Sequence, residues 1–167
     1  MTLRLLAAAV PTALATGCSL APAIPQNLVP ANAQLAMVVP AKGVQVYECR
    51  TKADTGAAEW AFVAPDATLY DIRGHRIGTH GAGPAWQAND GSRVVAKVAS
   101  RTDSPAGAIP WLLLSASSNG PEGSFSKVTH IQRVNTHGGN APARPCTAGE
   151  QARVQYTADY RFFIANN

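Results

Sequence analysis

Four histidines, His75, His80, His130 and His137, are the side chains of this chain best suited to acid–base or metal chemistry. Imidazole titrates near neutral pH and is a common metal ligand when neutral. None of the four stands in a His-x-His or Glu-x-x-His pair, the short spacings that put two ligands on one ion. A metal site would therefore need His80, His130 and His137 to converge through the fold; the competing reading gives them structural roles in turns. His80 and His137 lie in glycine-rich segments, Gly78-Thr-His-Gly-Ala-Gly83 and Thr136-His-Gly-Gly139. These read as loops in which a ligand or a second backbone can approach closely. Trp86 follows Gly83-Pro84 at the start of a predicted strand, with Gln87, Asn89 and Asp90 close behind. That grouping reads as an aromatic platform with a polar rim for a sugar or another flat amphipathic ligand; the alternative is a tryptophan that is simply core. The candidate ligand-binding set is His80, Trp86, Asp90 and His137.

Other chemistries find less support. There is no Gly-x-Ser-x-Gly elbow and no Ser-x-x-Lys pair with its partner motifs. Asp66, Asp71, Asp90 and Asp159 are isolated in sequence, so a paired-carboxylate site has nothing to argue for it. The glycine-rich stretches open no helix and carry no phosphate-loop lysine, which removes the case for a nucleotide. No cofactor is expected. The net charge of +4 comes from 14 basic and 10 acidic residues, and the basic ones are scattered singly. A scattered charge is a solvated surface rather than a phosphate-tracking stripe, so nucleic acid is not an expected partner.

The first residues read as an address. Arg4 supplies a positive start, and Leu5 to Ala15 form an apolar stretch of signal-peptide length, too short to anchor across a bilayer. Ala15-Thr-Gly-Cys18 resembles a bacterial lipobox, with Ala15 where leucine is usual; it implies a lipid on Cys18 and contact with a membrane through that anchor only. Ordinary cleavage after Ala15 or Ala23 is the alternative. This predicts a signal peptide over 1–17 and a tether over 18–34, which carries Pro22, Pro25 and Pro30 and no charge. The folded domain is expected over 35–167. Setting Cys18 aside leaves Cys49 and Cys146, a number that pairs. Either they form a disulfide linking an early strand to the loop before the last one, or they are two buried thiols; an oxidising compartment favours the bond. The expected location is the periplasm or outer membrane, or the exterior.

The elements that must position these residues are strands. Only 14% of residues are charged, with 14 Gly and 12 Pro among 167, which excludes a coiled coil or a charged disordered tail and suits tight turns. Period-two alternation is clearest at the C-terminus, where Val154, Tyr156, Ala158, Tyr160, Phe162 and Ile164 share one face. It also groups Val44 with Val46, Trp60 with Phe62 and Ala64, and Val94 with Ala96 and Val98. His130 and Gln132 share a face with Val128 and Val134; the favoured reading turns that face outward and packs Ile131 inward. Ile109-Pro-Trp-Leu-Leu-Leu114 is apolar on both faces and reads as a doubly covered strand starting at Pro110. Asn89-Asp-Gly91 marks a hairpin. Asn32 to Val39 alone could form a short helix. The predicted fold is all-β, an antiparallel sandwich or small barrel of about eight strands.

Several blocks carry a family resemblance: Lys42-Gly-Val-Gln-Val-Tyr-Glu-Cys49, Trp60-Ala-Phe-Val-Ala-Pro65, Ile77-Gly-Thr-His-Gly-Ala-Gly-Pro-Ala-Trp86, Ala108-Ile-Pro-Trp-Leu-Leu-Leu114, and Val128 to Gly139 followed by Cys146 and by Val154-Gln-Tyr-Thr-Ala-Asp-Tyr160. In order and number they resemble an exported bacterial and fungal family known as domain of unknown function 3455. The resemblance implies export, one compact domain and a Cys49–Cys146 pairing, and it assigns no catalytic residue. The resulting expectation is a non-enzymatic envelope lipoprotein that binds a small molecule, a glycan or an envelope protein. The alternatives are a metal-dependent or acid–base extracellular enzyme and an adhesion module working through a sheet edge.

Overall fold

The structure is a computed structural model that describes residues 22–166. The expected signal sequence and Cys18, the expected site of lipidation, lie outside the described residues. Eight antiparallel strands follow a short 3-10 helix at Gln26–Leu28: β1 (Ala33–Thr51), β2 (Ala58–Tyr70), β3 (Arg76–Gly81), β4 (Ala85–Ala88), β5 (Arg93–Thr102), β6 (Trp111–Ser118), β7 (Val128–Gly138) and β8 (Gln151–Ala165). Each pairs with its neighbour in the chain, and β1 pairs with β8 to close a barrel. The fold is the barrel of the two predicted architectures. The helix considered for Asn32 to Val39 is the first part of β1, where Ala33 pairs with Ala165 and Val39 with Tyr160. Pairing with a complete neighbouring strand overrides the weak local preference for a turn of helix.

An eight-stranded barrel has an interior just wide enough for side chains or one small ligand. Alternation decides what enters it. On β8 Tyr156, Ala158, Tyr160 and Phe162 are buried, as the period-two pattern predicts, while Val154 and Ile164 of that face are half-buried and Phe163, out of phase, is buried as well. On β1 Val44 and Val46 do share a face, but the cavity-facing positions are the odd ones, including Gln45 and Tyr47. The two strands approach closely there only because the residue is glycine: a Cβ on Gly43 would run into the Asp66 carbonyl oxygen. Because the chain runs up and down, turns alternate between two ends. One end carries the β2–β3, β4–β5 and β6–β7 connections and is filled by Val39, Leu69, Val94, Val128 and Phe162, with Phe125 of the β6–β7 loop edge-on to Phe162 at 4.8 Å.

The other end carries the β1–β2, β3–β4, β5–β6 and β7–β8 connections. Here β3 and β4 stop short. β3 pairs with β2 only from Ala67 to Tyr70, and β4 pairs with β5 only from Arg93 to Val95. The upper half of β2 and the later half of β5 therefore border a notch in the wall. Across the top lies the 139–150 segment, tied down by the Cys49–Cys146 disulfide, whose Cα atoms are 5.9 Å apart and 97 positions apart in sequence. Gly149 N–H donates to the Cys49 carbonyl and Cys49 N–H to that of Glu150. Trp60 Nε1 donates to the Arg144 carbonyl, and the Arg144 guanidinium stacks over the indole.

A second apolar cluster lies outside the barrel. Leu28, fully buried, packs with Trp111, Leu113 and Val134, with Ile24 beside them. This explains the two-faced Ile109–Leu114 run: Leu112 and Leu114 point into the barrel, while Trp111 and Leu113 are roofed by the segment around the 3-10 helix. Gln132 turns outward beneath that roof and donates to the Leu28 carbonyl, whereas Ile131 is buried in the barrel core. Asn27 fastens the same segment to Ser100 and Thr102 on β5. Residues 24–30, inside the stretch expected to act as a tether, are thus part of the packed body.

Candidate functional site

A cavity of ≈ 670 Å³ occupies the notched half of the barrel. This is within the roughly 300–1,000 Å³ typical of small-molecule sites. His80 on β3 and Trp86 on β4 are directly paired across the strands, so their side chains leave the sheet on the same side. Their rings stack at 4.1 Å with an interplanar angle of 11°. Tyr160 from β8 meets both edge-on, at 5.0 Å from His80 and 5.4 Å from Trp86. His80 Nδ1 lies 2.9 Å from the Ala85 carbonyl oxygen. A carbonyl can only accept, so the proton of the neutral ring sits on Nδ1 and Nε2 carries a free lone pair. Burial pushes the His80 pKa down to about 3, so the ring is neutral at physiological pH.

Arg133 on β7 enters the same space. Its Cα partners are Leu112 on β6 and Tyr160 on β8, and all three line the cavity. Its Nε and one terminal nitrogen both donate to the Pro110 carbonyl, at 3.1 and 2.9 Å. Among the described residues no carboxylate lies within ion-pair distance of this guanidinium. Burial raises the Tyr160 and Tyr47 hydroxyls above their ordinary pKa, and Arg133 opposes that rise at both. Tyr47 donates to the Gly139 carbonyl at 2.6 Å. Gly139 holds φ +81°, and a Cβ there would come within 2.9 Å of Ile109 and Tyr156, so the segment can cross the barrel this closely only as glycine. The cavity reaches solvent at the notch, where Phe62 and Val98 are 52% and 57% exposed.

The predicted site residues divide. His80 and Trp86 come together in the cavity; Trp86 stands near the start of a strand as expected, whereas His80 sits in β3 rather than in a loop. Trp86 is buried with no polar rim beside it: Gln87 and Asn89 point outward, and Asp90 lies in the β4–β5 turn at the filled end. There the Asp90 carboxylate accepts from the backbone and hydroxyl of both Ser92 and Ser124, holding it far below the usual carboxylate range. It is a clamp joining the turn to the β6–β7 loop. His137 is exposed at the end of β7, and His130 is half-buried with Nδ1 beside the Thr129 hydroxyl. Among the described residues no three His, Cys, Asp or Glu side chains cluster as a metal site would require. The metal set His80, His130 and His137 is therefore not assembled: only His80 points inward. Sequence reasoning passed over Arg133, Tyr47 and Gln45, although Arg133 stands two residues beyond the inward Ile131.

The model of the family described as "Protein of unknown function (DUF3455)" matches residues 30–164, from the covering segment ahead of β1 into β8. The chain belongs to this family. The match spans every strand that lines the cavity and both disulfide cysteines, so the barrel is the family domain itself. No curated protein and no solved structure matches the chain. No helix among the described residues is long and apolar enough to cross a membrane.

Proposed function

We propose that this member of the DUF3455 family is a non-enzymatic binding protein whose barrel holds one small, partly apolar molecule. The observation that carries this reading is the lining of the ≈ 670 Å³ cavity: a stacked His80–Trp86 pair crossed by Tyr160 and faced by a guanidinium. Aromatic walls give area and orientation to a flat ligand. The filled half and the disulfide-tied top hold that wall in place before any ligand arrives, which limits the ordering cost of binding. The proposed setting is the envelope or the exterior: a disulfide persists in oxidising compartments, and the Cys18 motif supplies a lipid anchor. Mass spectrometry of the mature N-terminus decides the anchor, a diacylated Cys18 supporting it and an unmodified start at Thr16 or Ile24 contradicting it. For binding, the neutral dye N-phenyl-1-naphthylamine should brighten with saturation at one site per chain. Asp90→Asn and His137→Gln, both remote from the cavity, should titrate like the natural protein. No saturable binding would refute the reading.

A further inference from the structure

The cavity is unequal in its hydrogen-bonding groups. Arg133 offers donors only: two of its N–H groups are spent on the Pro110 carbonyl and another is directed to the Tyr160 hydroxyl, which leaves the rest for a ligand. Gln45 and Trp86, 2% and 1% exposed, line the same cavity, and Gln45 Nε2 and Trp86 Nε1 are buried with no hydrogen-bond partner among the described residues. A buried donor left without a partner is costly, so a ligand that supplies an acceptor gains from it. Against these donors, the His80 ring, with its Nδ1 proton directed at the Ala85 carbonyl, presents Nε2 as an acceptor. A ligand matched to this lining brings oxygens that accept, a negative charge for the guanidinium, and a flat apolar body for the His80, Trp86 and Tyr160 rings.

We infer that the barrel selects a planar aromatic carboxylic acid, its carboxylate held by the free N–H groups of Arg133 and its ring lying against the His80–Trp86–Tyr160 cluster. The inference rests on the binding role proposed above and names the ligand class. A guanidinium forms charge-assisted hydrogen bonds with a carboxylate about twice as strong as neutral ones, and in this partly enclosed space the pairing is less screened than at a surface. A hydroxyl on the ring's far side would find its acceptor in His80 Nε2. Phe62 and Val98 at the notch leave an apolar passage to the ring site.

Two isosteric probes test the charge alone: 2-naphthoate and neutral 2-naphthamide, titrated calorimetrically into the full mature chain. The expected result is that naphthoate binds about ten- to a hundredfold more tightly than the amide, the ratio that a hydrogen bond to a charged group supplies. Arg133→Gln should abolish that ratio while leaving the amide within a few-fold of its original affinity. Arg133→Lys keeps the charge without the planar fork and should retain part of the preference; it also decides the matter should the Gln variant fail to fold. Equal affinities for the two probes, or a preference that survives Arg133→Gln, would overturn the ligand class while saturable dye binding keeps the binding role intact. Absence of dye binding as well would overturn both.

Discussion

A buried imidazole that must stay neutral makes His80 a source of acid sensitivity. Its folded pKa of about 3 lies below the unfolded value of 6.5, so the unfolded chain binds the extra proton first. Stability therefore falls as pH drops below about 6.5, by up to about 1.4 kcal/mol per pH unit until the folded pKa is reached. Asp90, Asp71 and Glu150, all held below their ordinary values by hydrogen bonds, push in the same direction but only once pH nears the carboxylate range. Chemical denaturation between pH 6.5 and 5.5 thus isolates the histidine. His80→Phe should flatten the slope there, while losing about 1–3 kcal/mol at pH 7 because the Ala85 carbonyl is orphaned. An unchanged slope would mean that His80 is not the group responsible. At this scale the sequence shows His80 and Trp86, but glycine neighbours say only that backbone comes close, not at which end of a barrel. Asp90 and His137 share that local texture and lie elsewhere. Arg133 was hidden for the opposite reason: a charge two positions from the inward Ile131 contradicts the apolar alternation expected of an inward face.

Among the elements, β8 was legible because its inward face is large and apolar at successive positions. β1 was only half legible, since its inward face mixes Val39, Ala41 and Gly43 with Gln45 and Tyr47, whereas Val44 and Val46 face the other way. The 3-10 segment at Gln26–Leu28 had no local signal, for a single leucine among prolines declares nothing until Trp111, Leu113 and Val134 are brought beneath it. Leu28→Ala should cost about 2–5 kcal/mol in a denaturant titration, as for other large-to-small changes in a packed site. A loss below half a kcal/mol would show the segment to be a loose arm. The Cys49–Cys146 bond closes a loop of about 100 residues, and its removal in a Cys49→Ser, Cys146→Ser double variant should cost up to about 4.7 kcal/mol. Because the bond holds the top of the cavity, dye affinity should fall together with the melting temperature; a stable double variant with unchanged affinity would separate the loop from the site.

The whole molecule is a barrel filled at one end and hollow at the other, and the hollow follows from strand lengths. The short β3–β4 hairpin leaves β2 and β5 each unpaired on one side along their far halves, and the space above it becomes a lateral opening lined by Phe62, Val63 and Val98. Strand count could be read from turn signals and alternation, but unequal strand pairing is a property of the closed sheet, and with it the existence of a cavity. The measurement that tests this account most directly is a fluorescence titration of N-phenyl-1-naphthylamine against the natural protein and Leu112→Trp, which places a larger ring in the cavity beside Arg133. The account predicts one saturable site per chain in the natural protein, and loss of that site in the variant with its melting transition still cooperative. Equal binding to both proteins, with the variant folded, would place the dye outside the barrel and contradict it.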